Sequence, residues 1–330
     1  MKIQQLTQLV RQHFTEQGAI YDLQTDAVQV NYRLNWAGFA NASFQLSDGR
    51  NSYHFKVSEA PRNKAQLKRW QRLHSTLEKE YHAPRLVDWV DLPGSDYSGL
   101  LLVDIPGKSP DLVSEPALFQ EVLSTIDRLH GDQVLGVVLR GLDGPRSCLK
   151  SYLQAYHNRF LDDLRGLEGR LPDWFEARQL DWLKSEVRGL EQAARLSSAF
   201  QAPAVSPVHG DLSPSNIIRS EGGRWNILDW DELTIGDPAQ DWSLLLDPLG
   251  QARAEFPVGF GWHELVQHAD PGLERRMEFY ARVLLFDRIL DGLADVVEGR
   301  DTGEDLGNYE SAKKASILQA LEQYRARTDS

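Results

Sequence analysis

Within residues 205–242, VSPVHGDLSPSNIIRSEGGRWNILDWDELTIGDPAQDW, the residues His209, Asp211 and Asn216 form the pattern H-x-D-x-x-x-x-N. Chance alone produces this pattern in roughly 2 % of chains of this length, so its surroundings decide its weight. Asn216-Ile217-Ile218 starts a strand, Glu221-Gly222-Gly223 turns it, and residues 225–228 return and deliver Asp229. Antiparallel pairing brings the two ends of such a hairpin together, so Asn216 and Asp229 stand side by side. An amide oxygen and a carboxylate held that way are hard ligands suited to Mg²⁺ on a nucleotide phosphate. Asp211, on the loop entering the hairpin, can accept or orient the proton of an attacking hydroxyl. Phosphoryl transfer needs metal, phosphates and nucleophile held in line more than it needs covalent help. The plain alternative is a hairpin with polar residues at its ends.

Other elements must position these groups. From residue 27 to 104 the pattern predicts short strands at 28–36, 43–46 and 52–57, with Asp48-Gly49 as a hairpin turn between the last two. A charged helix follows at 63–81, and Pro84 closes it; strands at 86–90 and 99–103 come next. Beyond Pro106-Gly107 the chain reads as helical, at 118–129, 149–164, 175–196, 277–297 and 311–324, with the Gly-rich stretch 136–144 as a loop. Ahead of all this, Ile3, Leu6, Leu9, Val10 and Phe14 fall at helical spacing, which predicts an amphipathic N-terminal helix.

VHGDLSPSNI followed by ILDWDE resembles the aminoglycoside phosphotransferase and choline kinase family, whose fold is related to that of protein kinases. The family has His-Gly-Asp where protein kinases have His-Arg-Asp, and Asp-hydrophobic-Asp/Glu where they have Asp-Phe-Gly. Here those positions are His209-Gly210-Asp211 and Asp229-Trp230-Asp231. The resemblance implies that Asp211 is the catalytic aspartate, that Asn216 and Asp229 hold Mg²⁺, and that His209 supports the loop. Residues 236–242, GDPAQDW, resemble the family's G-D-P-x-x-D-L stretch, where Asp241 would brace the catalytic loop; a helix N-cap or an exposed acid is the other reading. Lys56 stands where the family's nucleotide-binding lysine lies on the third strand, and the backbone at Val103 and Ile105 falls where the adenine is met. His130 closes a helix that the family often ends in Leu-His, with a structural role. The implied fold is α+β, two-lobed and protein-kinase-like. Residues 1–104 would form a small nucleotide-binding lobe, an antiparallel sheet plus a helix. Residues 105–330 would form a larger, mainly helical lobe for catalysis and acceptor binding. The implied activity is transfer from ATP or GTP, with Mg²⁺, to a hydroxyl of a small molecule. The likeness spans most of residues 28–297 and is most specific in 207–242.

The sequence departs from that pattern in two places. The phosphate-covering loop, WAGFANASF at 36–44, has the single glycine Gly38, with Asn41 and Ser43 as further donors. The helix after Lys56 carries no acid between Glu59 and Glu78, although the lysine's usual glutamate would fall near residues 66–70. Lys56 therefore lacks its ordinary ion pair, uses Glu59 or Glu78, or is held by Gln66. These departures keep open a second class of function, a pseudokinase-like nucleotide-binding scaffold. A protein kinase is disfavoured by the His-Gly-Asp form. Only residues 232–235 separate Asp231 from Gly236, too few for a peptide-docking segment.

Asp287, Asp291 and Asp295 recur every four residues and so share a helix face. Turned to the active site, Asp287 and Asp291 would suit an amine-bearing acceptor, an aminoglycoside or a choline-like alcohol; a solvated acidic stripe is the plain reading. Trp230 and Asp231, beside Asp229, are further acceptor candidates, with Trp230 equally readable as core. A sugar or other neutral alcohol stays open. With 36 Lys and Arg against 48 Asp and Glu, the net charge of -12 repels phosphate backbones, so no nucleic-acid partner is expected. Cys148 is the single cysteine and supports no disulfide framework. No apolar run approaches the roughly 20 residues of a membrane span, so a cytoplasmic monomer or homodimer without a membrane partner is expected.

Overall fold

The structure is a computed structural model that describes residues 2–33, 41–176, 178–246, 270, 272–302 and 308–328. It divides into two compact units, Met1–Pro110 with Ser215–Leu233, and Asp111–Pro214 with Thr234–Ser330.

In the first unit the chain runs α1 (Ile3–Gln17), β1 (Gln29–Arg33), β2 (Ala42–Ser47), β3 (Ser52–Ser58), α2 (Pro61–Tyr81), β4 (Leu86–Asp91), β5 (Ser98–Val103) and β6 (Gly107–Lys108). The first five strands form one antiparallel sheet in the order β1-β2-β3-β5-β4. Alternation along the strands sends Val30, Phe44, Leu46, Phe55, Val57 and Leu101 to one face, where Leu6, Val10 and Phe14 of α1 cover them. The register puts Arg33 beside Ser43 and Ser43 beside Lys56, so a polar cross-strand row runs over the opposite face. Gly99 lets β5 approach β3 at this point: a Cβ there would lie 1.9 Å from the Lys56 carbonyl oxygen. α2 opens with Pro61 in its first turn, where a missing N–H costs nothing, and buries Leu67, Trp70, Leu77 and Tyr81.

The hairpin of Ile217–Ser220 and Trp225–Ile227, read from the sequence with the second lobe, packs in the first unit. Two contacts explain this. Its first strand pairs with β6, Arg219 opposite Lys108. Its second strand meets the end of α2: Ile227 N–H and Asn226 Nδ2 both donate to the His82 carbonyl at 3.0 Å, and Trp225 stacks on the His82 ring. β6 also carries this unit on to Pro110, past the break expected after residue 104.

The second unit is mainly helical, with helices Pro116–Gly131, Gln133–Asp143, Arg178–Leu196, Pro238–Leu246, Leu273–Thr302 and Tyr309–Thr328. All but Gly144 of the stretch read as a loop at 136–144 lies in the helix Gln133–Asp143, which Gly144 ends. Asp132 caps it by accepting Leu135 N–H at 2.9 Å, and Leu135 and Leu139 are buried. Cap and burial outweigh the cost of about 1 kcal/mol for each of Gly136 and Gly141. The helix read at 149–164 is interrupted: Cys148–Tyr152 passes through a π-helical turn, Leu153–His157, into Asn158–Leu167. The strand pair Ser206–Val208 and Thr234–Gly236 joins the residues just before His209 to those after the hairpin. No helix among the described residues is long and apolar enough to cross a membrane.

Phe55 is fully buried between α1 and the sheet, with its ring 5.4 Å from that of Phe14. Phe55→Ala should lower the unfolding free energy by about 3–5 kcal/mol. Urea titration checks this, and a loss under about 1 kcal/mol would contradict the placement of this core.

Candidate active site

Lys56 projects from the polar face of the first unit's sheet, and its side chain keeps 7 % of its exposure. The Nζ lies 3.0 Å from Asp229 Oδ1 and 2.9 Å from Asp231 Oδ1. Burial alone would strip the proton from this amine; the two carboxylates outweigh it and hold the pKa above its ordinary value. The lysine's partners are thus the two acids of Asp229-Trp230-Asp231. Gln66, at the helix position where a glutamate was sought, donates instead to Glu232 at 2.7 Å, and Arg69 donates to the Leu233 carbonyl at 2.7 Å. Both side chains fasten α2 to the turn that carries the acids.

The turn is built to hold those acids still. Asp229 has φ 61° and ψ 55°, a left-handed conformation that costs a non-glycine residue about 1–2 kcal/mol. Trp230 offsets that cost: it is fully buried, donates from Nε1 to the Ile227 carbonyl at 2.7 Å, and packs on Tyr81. The expectation that Trp230 meets an acceptor therefore fails, because its ring is core. Asp231 is also turned inward, with Oδ1 on Lys56 and Oδ2 accepting Asn41 Nδ2 at 2.9 Å, so it does not offer a carboxylate to an acceptor. Asn41 is thereby spent on Asp231. Ser43 is half-buried in the row beside Lys56, while Gly38 lies outside the described residues. At the hairpin's mouth the Asn216 carbonyl accepts Leu228 N–H at 2.8 Å, one step beyond the pair Ile217–Ile227. Asn216 and Asp229 therefore end neighbouring strands, and an amide and a carboxylate so placed fit a hard divalent cation. Among the described residues no group of three or more His, Cys, Asp or Glu forms a metal-sized cluster.

Next to this row, Asp104 is buried and held on every side. Arg33 grips it bidentately at 2.9 and 3.0 Å, and Gln45 and Ser52 donate at 2.9 and 2.8 Å. Burial raises its pKa, but Ser52 and Arg33 outweigh this and keep it below the usual carboxylate range. The segment from Val103 to Ile105 is anchored by this carboxylate. Val103 N–H donates to Arg85 and Asp104 N–H to Ser52, so neither donor is open to a base. The half-buried His54 on β3 is pushed down to about 4, chiefly by burial.

In the second unit, Asp241 is a fully buried carboxylate surrounded by donors. Oδ2 accepts His209 N–H at 2.8 Å and faces His130 Nε2 at 2.9 Å, and Oδ1 accepts Gly210 N–H at 2.9 Å. Burial works against its charge, and the His130 hydrogen bond leads the interactions that keep its pKa low. Gly210 takes φ 89°, open to glycine but not to a residue with a Cβ, and Gln240 holds its carbonyl at 2.8 Å. The buried His209 ring accepts Asp211 N–H at Nδ1, 3.2 Å away, so this histidine fixes the loop that presents Asp211. Asp237 caps the following helix at Ala239 N–H, and the buried Arg276 holds it at 2.9 Å.

The acidic face of Leu273–Thr302 is ion-paired. Arg159 lays one guanidinium nitrogen on Asp287 and another on Asp291, and the buried Asp295 pairs with Lys313. The solvated-stripe reading fails for Asp295, and Asp287 and Asp291 share one cation. Asp163, one turn beyond Arg159, is pushed up to about 7 and Asp287 up to about 6, in both cases chiefly by burial. The charges of both Asp287 and Asp211 raise the buried Tyr156 phenol's pKa further, after burial itself, so this cluster lies near Asp211. Arg159, Asp163, Arg33 and Asp104 were all missed from sequence: each acquires its meaning from a partner distant in the chain, and none belongs to a local motif.

Asp241→Ala would leave His209, Gly210 and His130 donors unsatisfied in a dry site; it should cost about 3–5 kcal/mol of stability, read as a fall in the urea midpoint. Between pH 6.5 and about 4 the unfolded chain binds a proton that folded His54 refuses, so stability falls as pH drops through that window. His54→Gln should shrink the difference in unfolding free energy between those two pH values; an unchanged difference would contradict the half-buried, neutral imidazole.

Residues 31–280, well over half of the chain, match the model of a family described as the phosphotransferase enzyme family, APH. No curated protein matches the chain. Among solved structures it is similar to APH(2")-IIia in complex with GDP and kanamycin, with 16 % identity and TM-score 0.59 over 94 % of this chain and 99 % of that one. It is similar to spectinomycin phosphotransferase APH(9)-Ia, with ADP and spectinomycin, at 14 % identity and TM-score 0.54 over 98 % and 93 %. The choline kinase LicA of Streptococcus pneumoniae gives 15 % identity and TM-score 0.53 over 94 % and 98 %. The chain belongs to the phosphotransferase enzyme family and has the protein-kinase-like fold.

Proposed function

We propose that the enzyme transfers the γ-phosphoryl group of ATP or GTP to a hydroxyl of a small molecule, with Mg²⁺. The observation that carries this reading is the Lys56 ammonium paired with Asp229, at the end of the hairpin that Asn216 begins. A cation for phosphates and a hard oxygen pair for a metal thus occur together in the first unit. Lys56 would draw the α- and β-phosphates, and Asn216 and Asp229 would hold Mg²⁺. The metal would neutralise charge gathering on the phosphate oxygens. Asp211 would take the acceptor hydroxyl's proton as the new O–P bond forms and the nucleoside diphosphate leaves. His209 and Asp241 would keep Asp211 in place throughout. The carbonyls around Val103 and the Ile105 backbone would meet the base. GDP and ADP in the similar structures support a purine nucleotide and leave the base open.

The acceptor reading narrows. Arg159 neutralises part of the charge of Asp287 and Asp291, and Asp163 and Asp287 titrate near neutrality. The small surplus of negative charge suits an alcohol with a single ammonium better than a polycationic aminoglycoside. A neutral sugar is the alternative on the same fold. The cytoplasm, with its nucleotides and Mg²⁺, is the setting this chemistry needs, and one chain holds every residue invoked.

An assay of nucleoside-diphosphate release should find turnover with amino alcohols above that with aminoglycosides or sugars. Asp211→Asn should lower kcat by about 10²–10⁴-fold and leave nucleotide affinity within about twofold. Unchanged turnover in this variant would overturn the mechanism. Nucleotide binding by the wild type with no release across the panel would favour a nucleotide-binding scaffold.

A further inference from the structure

The helix after Lys56 offers no carboxylate between Glu59 and Glu78, and Gln66 is committed to Glu232. Glu59 is engaged elsewhere, by the Tyr97 hydroxyl. We propose that Asp231 is the positioning residue for Lys56, doing from the turn after the hairpin what a helix glutamate does in related kinases. The inference rests on the phosphotransferase reading above.

The two acids on Lys56 are not equivalent. The Asp229 side chain is 36 % exposed and sits at the hairpin's mouth next to Asn216, where it can leave the lysine for a metal. The Asp231 side chain is 11 % exposed and has both oxygens engaged inside the unit, one on Lys56 and one on Asn41. Its backbone cannot drift. Trp230 is locked into the core on one side of it, and Glu232 and Leu233 are tied to α2 by Gln66 and Arg69 on the other. With Asp229 on a metal and Asp231 absent, Lys56 would be a buried cation short of a partner, an arrangement proteins avoid at a cost of several kcal/mol. Asp231 supplies a fixed counter-charge that leaves the ammonium's remaining protons for phosphate. Asn41 then acts through Asp231, by setting the carboxylate's orientation, and has no need to touch phosphate itself.

The experiment is a double-mutant cycle, with ADP and Mg²⁺ binding measured by calorimetry on Lys56→Ala, Asp231→Asn and the double variant. Each single change should weaken ADP binding about tenfold, and the double should match Lys56→Ala within about twofold. In turnover, Asp231→Asn should raise the nucleotide KM and leave the acceptor KM unchanged. Losses that multiply, or an Asp231→Asn protein that binds ADP like the wild type, would overturn the proposal. If Asp231→Asn does not fold, the same cycle with Asn41→Ala decides: non-additivity with Lys56→Ala supports the hold through Asp231, and multiplication rejects it. A wild-type protein that binds neither ADP nor GDP would sink the phosphotransferase reading itself, a different result from multiplicative losses in a protein that binds; if it binds only GDP, the cycle is run with GDP.

Discussion

A primary ammonium with almost no exposure is the constraint from which the first unit's site follows. Left alone, such a charge would lose its proton or destabilise the fold. Lys56 keeps its charge because two carboxylates reach it, and both come from the same three-residue turn. That requirement explains features that otherwise look unrelated. The left-handed Asp229, the buried Trp230, the amide of Asn41 and the ties from Gln66 and Arg69 all serve to present two oxygens to one nitrogen. The hairpin belongs with the sheet because its end must deliver those oxygens.

The second unit answers the same problem with the sign reversed. Asp241 is a buried anion, and its partners are N–H groups of the loop that presents Asp211, together with His130. A carboxylate that must find three donors orders the backbone that carries them, so one buried charge fixes the loop His209–Asp211. Asp237 and Arg276 repeat the device at the next turn. Each unit thus spends a buried ion on fixing a loop that packing alone would leave loose.

What the sequence made legible was local, and what it hid was distant. His209, Asp211, Asn216 and Asp229 lie within one hairpin and its entry, and strand alternation, turn residues and spacing are all visible over 21 positions or fewer. The strands and most helices were readable for the same reason. The partners of Lys56 lie 173 and 175 residues away, beyond any periodicity, so the sequence offered only a lost ion pair, Glu59 or Glu78, or Gln66. Arg159 is 128 and 132 residues from the acids it joins, and without it the spacing of Asp287 and Asp291 read as a bare negative face. Trp230 misled differently: a large ring beside a functional aspartate suits a ligand or a core equally well until its Nε1 partner is known. At 136–144 the glycines spoke for a loop, and the cap at Asp132 with two buried leucines decided for a helix.

These pairings bear on how such a site can take up charged substrates. In the first unit Lys56 is already matched by two acids; in the second, Arg159 is matched by two acids and Asp241 by its donors. Binding a polyphosphate and a divalent metal would then be an exchange of partners, with phosphate replacing Asp229 on the lysine and the metal replacing the lysine on Asp229. An exchange avoids the large desolvation penalty of bringing a bare ion into a buried site, because neither protein charge passes through an unpaired state. Such an exchange would also link the two ligands, since phosphate would free the carboxylate and metal would free the ammonium.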